Sequence, residues 1–347
     1  MRLWPLVALL LCAFGPPRLG DRLGLPSFEV HAPQLRAIKR AAMPPLSAKS
    51  AILVDFASGQ PLFGKATHQR LPPASTTKMM TALLTLEQGQ LQGEVLVSAL
   101  AAGQIGTRMG LDAGQRFTVR DLLYGLLLPS GNDAAMALAQ YEAPTVQAFV
   151  DRMNAKVKEL GLADTHFVNP HGLDDPAHLS SASDLAQLAR YTLRSEPLFD
   201  QYVSTAHFAI AAGPGHPAFD LTNLNQLLGS YPGADGVKTG TTPAAGQVLV
   251  GSASRGGHRL LTVVMASDDR YADARAVLDN GFANEVWLRP DRFFPYALPV
   301  VVRATAEAVL PGWEASQVQA FLDPDQASGT FSLAGRELLK VPLEALA

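Results

Sequence analysis

The chain has one cysteine, Cys12, in 347 residues. It falls inside an N-terminal stretch that reads as a removable leader, so the mature protein is expected to carry none. That excludes a disulfide framework, a thiolate metal site and a cysteine nucleophile. Charge is sparse too: Asp, Glu, Lys and Arg make up 17% of residues, with a net charge of −3. Lys and Arg form no runs, which argues against a nucleic-acid partner. The histidines lack the spacing of a zinc site, so no metal is expected, and no cofactor is called for. Repeats and low-complexity tracts are missing as well.

What remains is a globular composition, 48% apolar, in a chain long enough for one large domain and a small one. The opening "MRLWPLVALLLCAFGPPRLG" carries Arg2 and then an apolar run from Leu3 to Phe14. That run has the dimensions of a signal-peptide core and is too short to span a bilayer comfortably. Ala13 and Gly15 supply small residues for cleavage after Gly15, giving a signal peptide at 1–15. Leu11 stands before Cys12 where a lipoprotein signal wants a small residue, so lipidation is not expected. Residues 16–46 are Pro-rich and read as a linker, with one short helix at 33–42.

Periodicity organises the rest. "SAILVDFASGQPLFGK" reads as two strands around a Ser58-Gly59 turn. Residues 75–87 have helical spacing, with Gly89 at the C-cap. Thr118 and Asp121 resemble a capping box for a helix running to about Leu128, and a second helix follows Asn132. Val146, Phe149, Val150, Met153, Val157 and Leu160 form an amphipathic stripe ended by Gly161. Ser181–Arg194 and 271–280 are further helices, the latter ending near Gly281. "GQVLVGSASRGGHRLLTVVMAS" is a hairpin around Arg255-Gly256-Gly257. Strands at both ends with helices between them predict an α+β domain on an antiparallel sheet, set at 47–287, with a small β-rich domain at 288–347.

Three short motifs stand at element boundaries: Ser75-Thr76-Thr77-Lys78, Ser130-Gly131-Asn132 and Lys238-Thr239-Gly240. Singly each has a plain structural account. Ser75 alone is an N-cap, Ser-Gly-Asn a turn and Lys-Thr-Gly a strand end. A serine at a helix start, however, has free backbone N–H groups beside it that can stabilise an oxyanion. Lys78 lies one turn on, within reach of the hydroxyl. To act as a base it must be neutral, which burial or a second cation, Lys238, would bring about.

All three motifs in this order resemble the penicillin-recognising serine acyltransferases. More narrowly, "LPPASTTKMM", "LLLPSGNDAAMALA", "NPHGLDD" and "GADGVKTGTTPAAGQVLVGSA" are similar to the low-molecular-mass D-alanyl-D-alanine carboxypeptidases. The resemblance spans about Ser47 to Trp287. It implies a DD-peptidase/β-lactamase-like fold, with a helical subdomain beside the sheet. It also implies a serine-type peptidase that acts on peptidoglycan stem peptides, is inhibited by β-lactams and serves cell-wall biosynthesis and cell shape. By this resemblance Ser75 is the nucleophile, Lys78 its base, and Ser130 relays a proton to the leaving amine with help from Lys238. Asn132 would bond the substrate amide, and the N–H groups of Ser75 and Thr241 would form the oxyanion hole. Thr239, Gly240 and Thr241 would pair with substrate, and Arg270 would face its carboxylate. His171 would order its loop, and Asp174 and Asp175 would cap or turn.

Rival readings differ in what they need. A class A-like β-lactamase needs a glutamate to activate water. Only Glu142, Glu159 and Glu196 lie between Asn132 and Lys238, none in a suitable loop motif, and Gly131 replaces the usual Asp. An idle penicillin-recognising binding protein would have lost Ser75, Lys78, Ser130 or Lys238. A DD-endopeptidase shares the centre and differs in its cleft walls. The tail does not extend into the amphipathic helix that tethers many relatives to the membrane. An exported monomer is expected, periplasmic or extracellular and associated with the cell wall.

Overall fold

The computed structural model describes residues 27–31, 38–290, 293, 300–302 and 307–345. The expected signal peptide lies outside them. Two compact units are present: Ala41–Ala283, and a smaller one formed by Met1–Arg40 with Asn284–Ala347.

The larger unit is built on a five-stranded antiparallel sheet. Its strands are β1 (Ser50–Asp55), β2 (Pro61–Lys65), β3 (Ala234–Thr242), β4 (Gly246–Arg255) and β5 (His258–Ser267), in the spatial order β2-β1-β5-β4-β3. β1, β4 and β5 are nearly continuous apolar runs because helices cover the sheet, and Val250, Leu261 and Val263 are fully buried. Gly256 and Gly257 take positive φ (59° and 88°) and let β4 fold back on β5. β3 stands at the edge, with one side unpaired.

Helix α1 (Lys78–Gln88) is buried from Lys78 to Leu86 on every face, as befits a helix through the middle of a domain. Each large apolar side chain on it, such as Leu83, contributes about 1.5–3 kcal/mol by burial. Gly89, at φ 69°, closes it in the left-handed conformation. Around it pack α2 (Val119–Leu127), α3 (Asn132–Glu142), α4 (Val146–Glu159), α5 (Ala182–Ser195) and α6 (Pro197–Ser204). Thr118, Thr145 and Ser181 cap α2, α4 and α5 by accepting from the N–H three residues on.

Three elements differ from the sequence expectation. Ser75 sits in a 3-10 turn, Ala74–Thr77, and the α-helix begins only at Lys78. The last helix, α7 (Arg270–Asn284), runs through Gly281, because a missing Cβ there makes room for Leu53; an added one would lie 2.3 Å from Leu53 Cδ2. In the smaller unit, Phe28–His31 within the expected linker is a strand paired with Val318–Asp323. Its partner is nearly the whole chain away, so local composition does not reveal it. The expected helix at 33–42 falls partly outside the described residues, and 38–42 are not helical. Among the described residues of that unit, strands 318–323, 328–333 and 336–345 pair antiparallel in sequence around Ala320, Leu322 and Phe331.

Asp273, in the first turn of α7, ties the start of β1 in place. Its carboxylate accepts from Ser47 N (3.0 Å), Ser47 Oγ (2.7 Å), Ala48 N (2.7 Å) and Ser267 Oγ (2.6 Å). Burial alone would raise its pKa, but these bonds prevail and hold it below the ordinary 3.8. The folded state therefore binds this proton less readily than the unfolded chain. The resulting stability is full above pH 3.8 and is lost as pH falls through the folded value. Asp273→Asn, which sets an NH2 against a backbone N–H in either orientation, is expected to cost about 1–3 kcal/mol at neutral pH. Urea midpoints at neutral pH and at about pH 2.5 check this, the gap between variant and wild type shrinking in acid; an equal gap at both would contradict it.

Candidate active site

The three motifs converge where the 3-10 turn, the α2–α3 junction and β3 meet. Ser75 is half-buried and caps nothing: neither the turn nor α1 receives a side-chain cap. Its Oγ lies 2.8 Å from Lys78 Nζ. The same Nζ donates to Asn132 Oδ1 (2.7 Å) and to the carbonyl of His171 (2.8 Å). Lys78 is fully buried, and its pKa is driven well below the ordinary value by burial, with Lys238 adding to the effect and Asp133 opposing it.

Two of these partners constrain the neutral form of the amine. A carbonyl and an amide oxygen can only accept, so a neutral NH2 gives its two hydrogens to Asn132 and His171. Its lone pair is then left for the hydroxyl proton of Ser75.

Ser130 enters the left-handed region at φ 64°, as do Ala74 (49°) and Val237 (100°), each non-glycine and each within or beside one of the motifs. Such conformations cost about 1–3 kcal/mol each and persist only where the surroundings over-determine them. Here they swing Ser75, Ser130 and Lys238 toward one place. Ser130 is 3% exposed, and its Oγ has no hydrogen-bond partner. Gly131 allows the turn, since a Cβ there would lie 2.9 Å from both Gly125 O and Met109 N.

Asn132 is held on several sides. Its Nδ2 donates to Ile105 O (2.6 Å) and its backbone N–H to Thr107 O (2.8 Å). One amide hydrogen is left over. The loop supplying those carbonyls is fixed by Asp133, a buried residue that the sequence reading did not single out. Its carboxylate accepts from Met109 N, Gly110 N and Leu111 N at 2.8, 2.8 and 3.0 Å. An acid opening an otherwise Ala/Met/Leu helix was the available signal.

On β3, Lys238 is buried and brought down to about 7, by burial first and Arg270 second. Its Nζ reaches Thr239 O at 3.1 Å, and no hydrogen bond joins it to Ser130. Gly240 runs close against the turn: a Cβ would lie 2.9 Å from Ser75 N. Arg270 Nη1 donates to Gly240 O (2.8 Å) and Thr241 Oγ1 (2.7 Å), while its buried Nε is unbonded. Thr239 is buried and Thr241 exposed at the cleft. His171 serves through its carbonyl. Asp174 holds the end of β3 by accepting from Thr242 Oγ1 and Ala244 N, and Asp175 accepts from Ala177 N in a turn.

Among the described residues, the next most prominent features are structural. A cleft of about 570 Å³ beside β1 and α5 contains Arg190 and Arg194, but no motif residue lines it. Their guanidinium groups bond the carbonyls of Phe56 and Ala57. Glu159 pairs with Lys156 and Glu142 faces Arg152, all on or at the end of α3 and α4. Among the described residues no cluster of His, Cys, Asp and Glu could hold a metal ion.

Known proteins give the same picture. The family model described as D-alanyl-D-alanine carboxypeptidase matches residues 37–269. The chain is 35% identical to the D-alanyl-D-alanine carboxypeptidase DacF of Bacillus subtilis, over 80% of this chain and 69% of that protein. It is 37% identical to DacB2 of Mycobacterium tuberculosis, over 68% of this chain and 82% of the relative. Among solved structures, the Streptomyces K15 DD-transpeptidase superposes with a TM-score of 0.67 at 34% identity, covering 70% of this chain and all of that one.

Proposed function

The chain belongs to the D-alanyl-D-alanine carboxypeptidase family of serine peptidases, and from that premise we propose that it removes the terminal D-alanine of peptidoglycan stem peptides through an acyl-enzyme on Ser75. The observation that carries this reading is the Lys78 amine, placed 2.8 Å from Ser75 Oγ while also bonded to the two obligate acceptors Asn132 Oδ1 and His171 O.

The steps follow from the geometry. Lys78 takes the Ser75 proton as Oγ bonds to the carbonyl carbon of the penultimate D-alanine. The oxyanion is met by N–H groups of Ser75 and Thr241. Substrate lies along the free edge of β3, which fixes its carbonyl over Ser75. The C–N bond then breaks, and the departing D-alanine nitrogen takes its proton from Ser130 Oγ, the buried hydroxyl without a partner, while the proton that Lys78 gained from Ser75 passes on to Ser130 and leaves the amine neutral again. Arg270 and Thr241 receive the terminal carboxylate. Water adds to the ester carbonyl, its proton passing back through the same base, and Ser75 is released. β-Lactams follow the first half of this route and stall, because the opened ring keeps the leaving nitrogen tethered in the site.

Peptidoglycan lies outside the cytoplasmic membrane, and the leader expected at residues 1–15 supports export to it. Among the described residues no helix is long and apolar enough to cross a membrane. Incubation with diacetyl-L-lysyl-D-alanyl-D-alanine tests the reaction. One D-alanine per peptide is expected, with the C-terminal amide of the same peptide resisting. No release, together with no mass gain from benzylpenicillin, would overturn the proposal.

Lys238 supplies a pH test. Its charge helps keep Lys78 unprotonated, so Lys238→Met raises the Lys78 pKa and shifts the acid limb of acylation to higher pH. With its own pKa near 7, Lys238 is charged mainly below neutrality. The loss, about 10–100-fold near pH 6, therefore narrows as pH rises. Rates of penicillin uptake across that range check it, and an unmoved limb would count against this role.

A further inference from the structure

Two side chains that the steps above do not use sit beneath the turn carrying Ser75. His178 is 1% exposed and Thr77 fully buried. His178 Nε2 lies 2.8 Å from Thr77 Oγ1, and its Nδ1 accepts the N–H of Val168 at 3.0 Å. Thr77 Oγ1 donates to the carbonyl of Ala74 at 2.8 Å.

These contacts fix the protons. A ring nitrogen that accepts from a backbone N–H carries no hydrogen, so the neutral imidazole holds its proton on Nε2. Thr77 has a single O–H, committed to Ala74, so its oxygen accepts from Nε2–H. Donation runs one way, from His178 to Thr77 to Ala74. Burial lowers His178 to about 4, Asp175 and Asp174 favouring its charged form and His166 disfavouring it. The ring is therefore neutral at neutral pH.

The end of this relay matters because the Ala74 carbonyl and the Ser75 N–H belong to one peptide plane. In a trans peptide they point opposite ways. The carbonyl is packed on one side by Gly172, where a Cβ would come 1.9 Å from Ala74 O. The Ser75 nitrogen also lies close to Gly240 of β3, where an added Cβ would come 2.9 Å from it. Turning the carbonyl inward thus turns the N–H outward, to where the oxyanion forms. A hydrogen bond to the carbonyl also polarises the N–H of the same amide and strengthens it as a donor.

We propose that His178 and Thr77 are positioning residues that lock the Ala74–Ser75 peptide so that the Ser75 N–H meets the oxyanion. This rests on the reading that Ser75 is the acylated nucleophile. Deleting an oxyanion donor outright lowers rates by about 10²–10³-fold; a misaligned one is expected to lower them by about 10–100-fold.

The test is the acylation kinetics of the mature protein with benzylpenicillin, resolved into the rate constant at saturation and the half-saturating concentration. Thr77→Val and His178→Phe should each slow the saturated rate by that factor with little change in half-saturation. Thr77→Ser and His178→Gln, which keep the donors, should recover most of it. The double variant should be about as slow as the slower single one, because both break one relay. Folded Thr77→Val acylating at the wild-type rate, or effects that multiply, would overturn the proposal. Should His178→Phe fail to fold, Thr77→Val, which keeps the side chain's shape, decides alone. A wild-type protein that takes no penicillin on Ser75 would instead overturn the underlying reading.

Discussion

Ser75→Ala is expected to gain no mass from benzylpenicillin and to release D-alanine at background, a fall of about 10⁵–10⁶-fold. The size follows from the chemistry. The variant keeps the amine, the two acceptors that orient it and the edge of β3, but has no atom that can bond to the carbonyl carbon. Residual turnover is limited to what binding and oxyanion donors do for a water molecule.

Misfolding would not mimic this result. Ser75 is half-buried, its hydroxyl meets the Lys78 amine, and it caps neither the turn nor α1. Removing its hydroxyl takes nothing from the packing of α1. The thermal midpoint should therefore move little, and non-covalent binding of the drug should survive. A covalent adduct on the variant would require another nucleophile, and the buried, unpartnered Ser130 hydroxyl is the first candidate. Peptide mapping of any adduct would tell the two apart.

Much of the frame around this residue was legible in the sequence, and the reasons are local. Gly89 ends α1 because only a residue at ease with positive φ closes a helix that way, and Thr118 announces α2 by the spacing of its acid. The stripe on α4 and the paired glycines between β4 and β5 are equally short-range. What escaped depends on distant partners. Phe28–His31 becomes a strand through Val318–Asp323, far along the chain. Gly281 reads as a stop until Leu53 is seen to occupy the space above it. The candidate site divides in the same way. Ser75, Lys78, Ser130 and Lys238 stand in motifs whose spacing carries chemical sense. Asp133 and His178 are single polar residues whose meaning lies in which backbone groups they meet.

Lys78→Arg is expected to slow penicillin acylation by about 10²–10⁴-fold, the range in which general-base catalysis contributes. Arginine keeps a long side chain with N–H donors but carries a fixed charge. Its guanidinium stays protonated throughout the working range, and it has no lone pair to take the Ser75 proton. In the wild type, burial, helped by Lys238, disfavours the ammonium and lowers the Lys78 pKa well below its ordinary value. Its acylation rate should therefore climb with pH through an acid limb and then level. The arginine variant should be slow and flat across the same span, since no protonation state of it supplies a base. Lys78→Met separates this from the strain of burying a larger cation. It removes the donors to Asn132 and His171 but introduces no charge, and it should be comparably slow. Recovery of either variant at high pH would mean that a group other than Lys78 takes the proton.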